Sequence, residues 1–431
     1  MALNFRGGYR FPYSVAKELN VEKTGIPSKL VISIPDGFSV SVSQSERLCK
    51  DTVLATHEDG SVLTAGVLGS VFAISDTCIT VIPDNEQETE ATPIAERLAE
   101  ISPGDIVEHM RKAGLFAEGG FPMWRMFSPL IGCGEMLMLN AAECEPGISC
   151  VHAMLRSYPE KILGGLKIMM RALALPKAVA IMTETMHYEA EILRHHLKHK
   201  SMLDILGVAQ KYPLEHPKVM FSAVTGSHSA PSQQKAVMVT VRDCIAVYDL
   251  FVDGHIPSAR VLTVEGKNYE IYIGTLLSEL SDLCNLTVKE RTIPHIGGLV
   301  SARTEALENA SVSVDTKGVQ YLTEHVFKNS DCIRCGKCSN YCPIGLYPMW
   351  IWEKLQKKKD PKVDDCIECG VCTAVCYSEI DICAAIRHYR KFGFVSDGES
   401  IVEETKSKEE GVEYMKIGTI TEGDGNEKED E

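Results

Sequence analysis

Eight of the sixteen cysteines lie between Cys332 and Cys376, in two runs of identical spacing. The first reads Cys332-Ile-Arg-Cys335-Gly-Lys-Cys338-Ser-Asn-Tyr-Cys342-Pro343, and the second Cys366-Ile-Glu-Cys369-Gly-Val-Cys372-Thr-Ala-Val-Cys376-Tyr377. Three thiolates at this spacing wrap three irons of a [4Fe–4S] cubane, while the fourth cysteine leads into a helix and crosses to the other cluster. The pattern therefore predicts one cluster on Cys332, Cys335, Cys338 and Cys376, and a second on Cys366, Cys369, Cys372 and Cys342. Gly336 and Gly370 let the backbone pass close to the inorganic core and supply amides to its sulfurs. Pro343 closes the first run; Tyr377 stands in the matching place of the second, which leaves ligation intact and the following helix less constrained. The competing reading is zinc, which also takes four cysteines. Zinc sites usually come as two C-x2-C pairs separated by a loop, not as two complete four-cysteine runs in tandem. A pair of clusters with crossed ligands suits the passage of single electrons; clusters that only hold the fold together are the third reading.

Composition narrows the setting. At roughly 100 to 200 residues per domain, 431 residues make about two to four domains. With 45% hydrophobic and 24% charged residues, the chain has the balance of an ordinary globular protein. It shows no apolar run of about eighteen residues, and its opening MALNFRGGYRFPYS has no apolar signal core, so we expect no membrane span and no export. Sixteen cysteines in such a chain point to a reducing, cytoplasmic compartment, where thiols bind metal or stay free. The formal charge of −15, with 44 basic against 59 acidic residues, argues against a nucleic-acid partner. Much of that excess is local: residues 397–431 hold 13 acidic and 4 basic side chains, so 391–431 reads as a solvated acidic tail. Lys357, Lys358 and Lys359 end an apolar helical pattern that includes Leu346, Trp350 and Leu355; they are either a solvated helix end or a docking patch for an acidic redox partner.

Before the cysteine runs, hydrophobic periodicity sets the organisation. Residues 1–94 carry short β-branched runs (LVISIP, FSVSVS, CITVIP) broken by turn residues, which predicts a β-rich domain. After the charged stretch 84–93, residues 95–215 alternate strand-like MLMLN and AVAIMT with helical patterns, the signature of a parallel α/β domain. Residues 216–300 read as a small α+β module with one helix, and 301–390 as the cluster domain. Ligands of open α/β sheets sit at the carboxyl ends of the strands. Glu143-Cys144-Glu145-Pro146 follows a strand in that place, so its two carboxylates either hydrogen-bond a cofactor or cap the next helix. His295 reads as a packed or surface histidine, and Cys133 and Cys144 as small apolar fillers.

On these motifs the chain resembles the C subunit of the Rnf electron-transport complex, including its shortened relatives that serve proline reductase. Phe5-Arg-Gly-Gly8 resembles the family's opening element, Ala141-Ala-Glu143-Cys144-Glu145-Pro146 its flavin-domain turn, and Pro294-His-Ile-Gly-Gly298 its later glycine element. The resemblance implies a multidomain α/β chain: a barrel-sandwich hybrid, an α/β domain like the flavin subunit of complex I, a β-grasp (SLBB) domain and a two-cluster ferredoxin domain. It further implies protein redox partners, proline reductase among them, and a cytoplasmic location peripheral to a membrane complex. FMN would be held by Gly119, Gly120, Glu143 and Glu145. In the family the phosphate loop is glycine-rich; here Ala113–Pro122 has fewer glycines and carries Glu118, whose charge opposes a phosphate. Two functions follow as expectations: an iron–sulfur subunit relaying electrons to a partner reductase, or a complete NADH-oxidising FMN and iron–sulfur dehydrogenase subunit.

Overall fold

The computed structural model describes residues 2–12, 19–88, 93–94, 101–197, 199–227, 231–303, 310–323 and 327–394. Beyond residue 394 the expected acidic tail lies outside the described residues, as do residues 89–92 of the charged stretch and 95–100 of the helical pattern after it.

The β-branched runs of the first 94 residues become β1 (Val21–Lys23), β2 (Leu30–Ser33), β3 (Phe38–Val40), β4 (Arg47–Leu48), β5 (Val53–His57), β6 (Val62–Thr64), β7 (Gly69–Ile74) and β8 (Cys78–Pro83). Strands β2-β8-β7-β4 make one antiparallel sheet and β3-β5-β6 another. Period-two alternation sends Leu30, Ile32, Leu48, Leu54, Val71, Ile79 and Val81 into a common core.

Helices α1 (Pro103–Lys112) and α2 (Met123–Phe127) lead into β9 (Met136–Asn140), α3 (Cys150–Ser157), α4 (Pro159–Ala172), β10 (Ala178–Thr183), α5 (His187–His196), β11 (Leu203–Val208), α6 (Pro217–Thr225), β12 (Ala236–Thr240) and α7 (Val241–Tyr248). Strands β11-β10-β9-β12 pair in parallel throughout. Burial on both faces by the helices explains their near-continuous apolar sequences. The fourth strand comes from beyond residue 215, where the sequence pattern suggests a separate module with a single helix. The segment after Pro217 is instead α6: proline starts the helix without losing a needed N–H, and Gly226 ends it in the left-handed conformation at φ 71°.

The remaining sheet, β1-β14-β13-β16-β15, is built from β13 (Ala259–Val264), β14 (Lys267–Tyr272), β15 (Thr292–Ile296) and β16 (Gly318–Thr323), with α8 (Leu280–Leu283) packed on it. Strand β1 reaches across from the N-terminal region to pair in parallel with β14. His295 is fully buried in β15, consistent with a packed histidine. The cysteine runs carry α9 (Lys337–Asn340) and α11 (Val371–Ala374), and α10 (Pro348–Gln356) and α12 (Ile382–Phe392) pack between them around Ile351, Leu355, Ile380, Ile382 and Ile386. Trp350, expected on the packed face of α10, is 51% exposed. No helix among the described residues is long and apolar enough to cross a membrane.

One helix contact ties the α/β unit together. Helices α4 and α7 approach so closely that a Cβ at Gly165 would stand 1.9 Å from the Cys244 carbonyl oxygen, and one at Gly164 would stand 2.4 Å from the Tyr248 ring. Gly165→Ala should therefore destabilise the fold by ~1–3 kcal/mol, overpacking outweighing the ~1 kcal/mol that alanine gains over glycine in a helix. Urea denaturation monitored by circular dichroism measures it; an unchanged or raised midpoint would contradict the close approach.

Candidate functional site

The structure brings the eight clustered cysteines around two cavities of similar size, about 380 and 390 Å³ including their mouths. Cys332, Cys335, Cys338 and Cys376 line the first, with Ile333, Met349, Trp352, Val375, Ile380 and Ile382 among the apolar walls. Cys342, Cys366, Cys369 and Cys372 line the second, with Pro343, Ile344, Ile351 and Ile386. Three thiols of each cavity come from one run and the fourth from the other. The two runs repeat one backbone conformation: Arg334 and Gly336 are left-handed at φ 54° and 75°, and Glu368 and Gly370 at 52° and 77°. Such turns curl the three thiols of a run around a common space.

The sulfurs of each site surround a volume with apolar walls, the setting of a four-iron cubane. Amides already point at sulfur: Leu346 N donates to Cys342 Sγ at 3.3 Å and Glu368 N to Cys366 Sγ at 3.4 Å. In place of the second run's proline, Tyr377 lies under the Lys337 ammonium, 3.7 Å from its ring centre.

The three motifs outside the cysteine runs converge on the second cavity. A Cβ at Gly7 would fall 2.3 Å from the Cys342 carbonyl oxygen, so only glycine permits the N-terminal segment to lie against that loop. Gly8 N donates to Tyr341 O at 2.9 Å, and Lys211 Nζ bridges the Phe5 and Gly7 carbonyls at 2.6 and 2.7 Å. Tyr212 donates its hydroxyl to Cys369 O at 2.8 Å. The Gly297-Gly298 loop arrives from the other side, where Val300 O abuts Gly370.

Glu143 and Glu145 sit at the carboxyl end of β9, as expected, and the structure engages both inside the protein. Glu143 accepts from Val151 N at 3.0 Å and His152 N at 3.2 Å, which caps α3. Burial pushes its carboxyl above the ordinary range. Glu145 accepts from Ser301 N at 2.7 Å and Val300 N at 3.3 Å, pinning the glycine loop that touches Gly370. Burial, with Glu215 nearby, raises its pKa to about 7.

Gly119 and Gly120 form a turn at φ 101° and 77° beside the same strand ends. A Cβ at Gly120 would meet nothing, so that glycine serves the turn and no close neighbour. The Glu118 amide donates to Asp243 Oδ1 and the Gly120 amide to Ala117 O, both at 3.0 Å. The Glu118 carboxylate turns into the crevice and pairs with Arg242 at 3.0 Å and Lys317 at 3.1 Å. Burial opposes its charge, but Lys317 and Arg242 hold its pKa down at about 2. Lys317 also reaches Glu215, and Arg242 also donates to Cys150 Sγ. Sequence reasoning found Glu118 and its repulsion of phosphate; Arg242, Lys317 and Glu215 lie too far apart in the chain to have been joined to it. Glu118 thus takes up two of the crevice's cations and opposes a cofactor phosphate there. Arg260 beside it is buried with Nε and Nη1 unpartnered, so hydrogen-bonding capacity for an anion such as the FMN phosphate remains in the crevice.

Fold and site together define an iron–sulfur electron-transfer subunit. The 4Fe-4S dicluster domain model matches residues 331–380, and the Nuo51 FMN-binding domain model matches residues 110–249. Among characterised proteins, the C subunit of the proton-translocating ferredoxin:NAD(+) oxidoreductase complex of Clostridium ljungdahlii is 26% identical over 386 residues, covering 81% of this chain and 84% of that one. The Na(+)-translocating counterpart of Acetobacterium woodii is 27% identical over 387 residues, covering 82% and 87%. The resemblance to Rnf C subunits thus extends along most of the chain. A chain of the air-oxidized NAD+-reducing [NiFe]-hydrogenase shares the fold, with a TM-score of 0.50 at 14% identity over 75% of this chain and 72% of that chain. The FMN-binding class therefore describes the α/β fold, while Glu118 occupies the crevice in this sequence.

Glu118→Gln should cost ~3–5 kcal/mol at pH 7, the penalty for leaving buried cations without their counter-charge. The wild-type carboxylate is held below its unfolded value, so its contribution is complete above pH ~4.3 and lost as pH falls through the folded value near 2. Denaturation curves of both proteins from pH 7 to pH 2 should converge at the acid end; a gap that is small at pH 7 or widens in acid would refute the pairing.

Proposed function

We propose that this chain carries one [4Fe–4S] cluster in each cavity and relays single electrons through them between protein partners, in the manner of an Rnf C subunit. Cys332, Cys335, Cys338 and Cys376 hold the first cluster, and Cys342, Cys366, Cys369 and Cys372 the second. The observation that supports this is the ring of four thiols around each cavity, three from one run and one crossing from the other. When bound, each cluster supplies a one-electron redox centre.

The protein's own contribution is to exclude water and set the electrostatics. Apolar walls from Met349, Trp352, Ile351, Ile380 and Ile386 shield the inner thiols such as Cys338 and Cys342 from solvent, and the Leu346 and Glu368 amides stabilise negative charge at the second site. The two sites differ in surroundings. The second rests on the body of the protein through Gly7, Tyr212 and Val300. The first faces outward, where Cys332 and Cys335 are exposed and Ile333 and Tyr377 are 65% and 60% exposed. A partner oxidoreductase docks on that outward side, within the short range over which electrons tunnel. The sharpest version of the partner is proline reductase, and attachment is to a membrane complex at its cytoplasmic face. Both rest on the sequence resemblance, while the relatives' names add only membership in an ion-translocating oxidoreductase complex.

A second reading, an NADH-oxidising FMN and iron–sulfur subunit, is favoured by the Nuo51 match over 110–249 and opposed by the paired Glu118. Anaerobically purified protein should contain about eight irons and eight acid-labile sulfides, the sum for two cubanes, with no flavin. NADH should leave its cluster absorbance unbleached. Zinc in the thiol sites, or a single reducible centre, would overturn the relay; stoichiometric FMN with NADH bleaching would establish the second reading.

A further inference from the structure

The second cavity is lined by five cysteines, not four: Cys383 joins Cys342, Cys366, Cys369 and Cys372. The first cavity is lined by its four alone. Cys383 lies outside the C-x2-C-x2-C-x3-C pattern, at the second residue of α12, and is 1% exposed. Its backbone is fixed beside the run. The Cys383 amide donates to Thr373 Oγ1 at 3.0 Å, and Thr373 follows Cys372 directly in the chain. Thr373 in turn donates to Asp381 Oδ1 at 3.0 Å, and Asp381 caps α12 by accepting from Ala384 N at 3.0 Å. The start of this helix is thus locked to the last turn of the second cysteine run, which holds the Cys383 sulfur at the cavity wall.

The sulfur is held from two sides. Arg387, one turn along α12, donates through Nη2 to Cys383 Sγ at 3.3 Å, a charge-assisted contact that favours electron density on sulfur. The Cys383 thiol donates to Glu368 O at 3.6 Å, so the side chain spans from the helix to the loop that carries Cys366 and Cys369. Soft thiolate is what iron–sulfur centres select.

We propose that Cys383 is a reserve ligand of the second cluster, able to take the iron that Cys372 holds when that thiolate is withdrawn. This rests on the two-cluster reading above. The second site then keeps four irons after loss of Cys372, whereas the first, which has no fifth thiol, does not survive loss of a comparable ligand.

The test compares full-length Cys372→Ala, Cys338→Ala, Cys383→Ala and Cys372→Ala/Cys383→Ala proteins with wild type, all purified without oxygen. It reads iron, sulfide and the electron paramagnetic resonance of the reduced state. Cys383→Ala should keep about eight irons, and Cys372→Ala should also keep about eight with altered g-values, as expected of two cubanes with one ligand exchanged. Cys338→Ala and the double variant should each fall to about four, one cubane remaining. The spectrum of the remaining first cluster reports that the double variant is folded; Cys372→Ser read the same way replaces Cys372→Ala if the latter does not fold. Loss of the second cluster in Cys372→Ala with Cys383 present would overturn the proposal, as would its loss in Cys383→Ala alone. Iron-free wild-type protein would instead sink the electron-transfer reading itself, and this inference with it.

Discussion

The crossing of Cys342 and Cys376 is the constraint on which the cluster domain depends. Each cavity takes three thiols from a local loop and its fourth from the other run. Neither run can complete a ring by itself, so the two must fold as one body, with α9 and α11 starting side by side and α10 and α12 packed between them. A small segment of this kind has little apolar core of its own, and metal ligation supplies the folding free energy that its buried area does not.

The rest of the molecule is arranged to support one of those two cavities. The N-terminal Gly-Gly element, the Tyr212 hydroxyl and the loop at Val300 all press on the Cys342 and Cys369-Gly370 loops. Glu145 belongs to the same arrangement: its carboxylate holds the Val300 and Ser301 amides and so links the end of β9 to the second cysteine run. Motifs that stand far apart in the chain thus meet at one place. The first cavity carries the two exposed cysteines of the runs, Cys332 and Cys335, a polarity that suits a relay with one centre inward and one outward.

The crevice at the carboxyl ends of the parallel strands shows the protein's own charges competing for a ligand's place. The sheet order and the carboxylate-bearing turn after β9 match a flavin-binding class, yet Glu118 sits there with Arg242 and Lys317. A buried carboxylate flanked by two cations competes with an incoming phosphate for them, while Arg260 beside it is unpartnered at Nε and Nη1. The topology alone does not decide what the crevice binds.

By itself the sequence determined the cluster chemistry, because the spacing of ligands within a run is a local property: eight cysteines, two glycines and their intervals suffice to specify two cubanes. It also determined the strands and helices with strong periodicity, such as β9, β10 and α4. The membership of β12 in the parallel sheet and the pairing of β1 with β14 were decided only in three dimensions, since hydrogen bonds between strands are formed by segments whose separation leaves no periodic trace. The same holds for the roles of Glu143 and Glu145. A carboxylate after a strand is compatible with either a cap or a ligand, and which one it becomes depends on the amides that folding brings to it, Val151 and His152 for one and Val300 and Ser301 for the other. Cys383 shows the limit most plainly: in the sequence it is one of the cysteines outside the two runs, and only the packing of α12 on the second run brings it to the cavity wall.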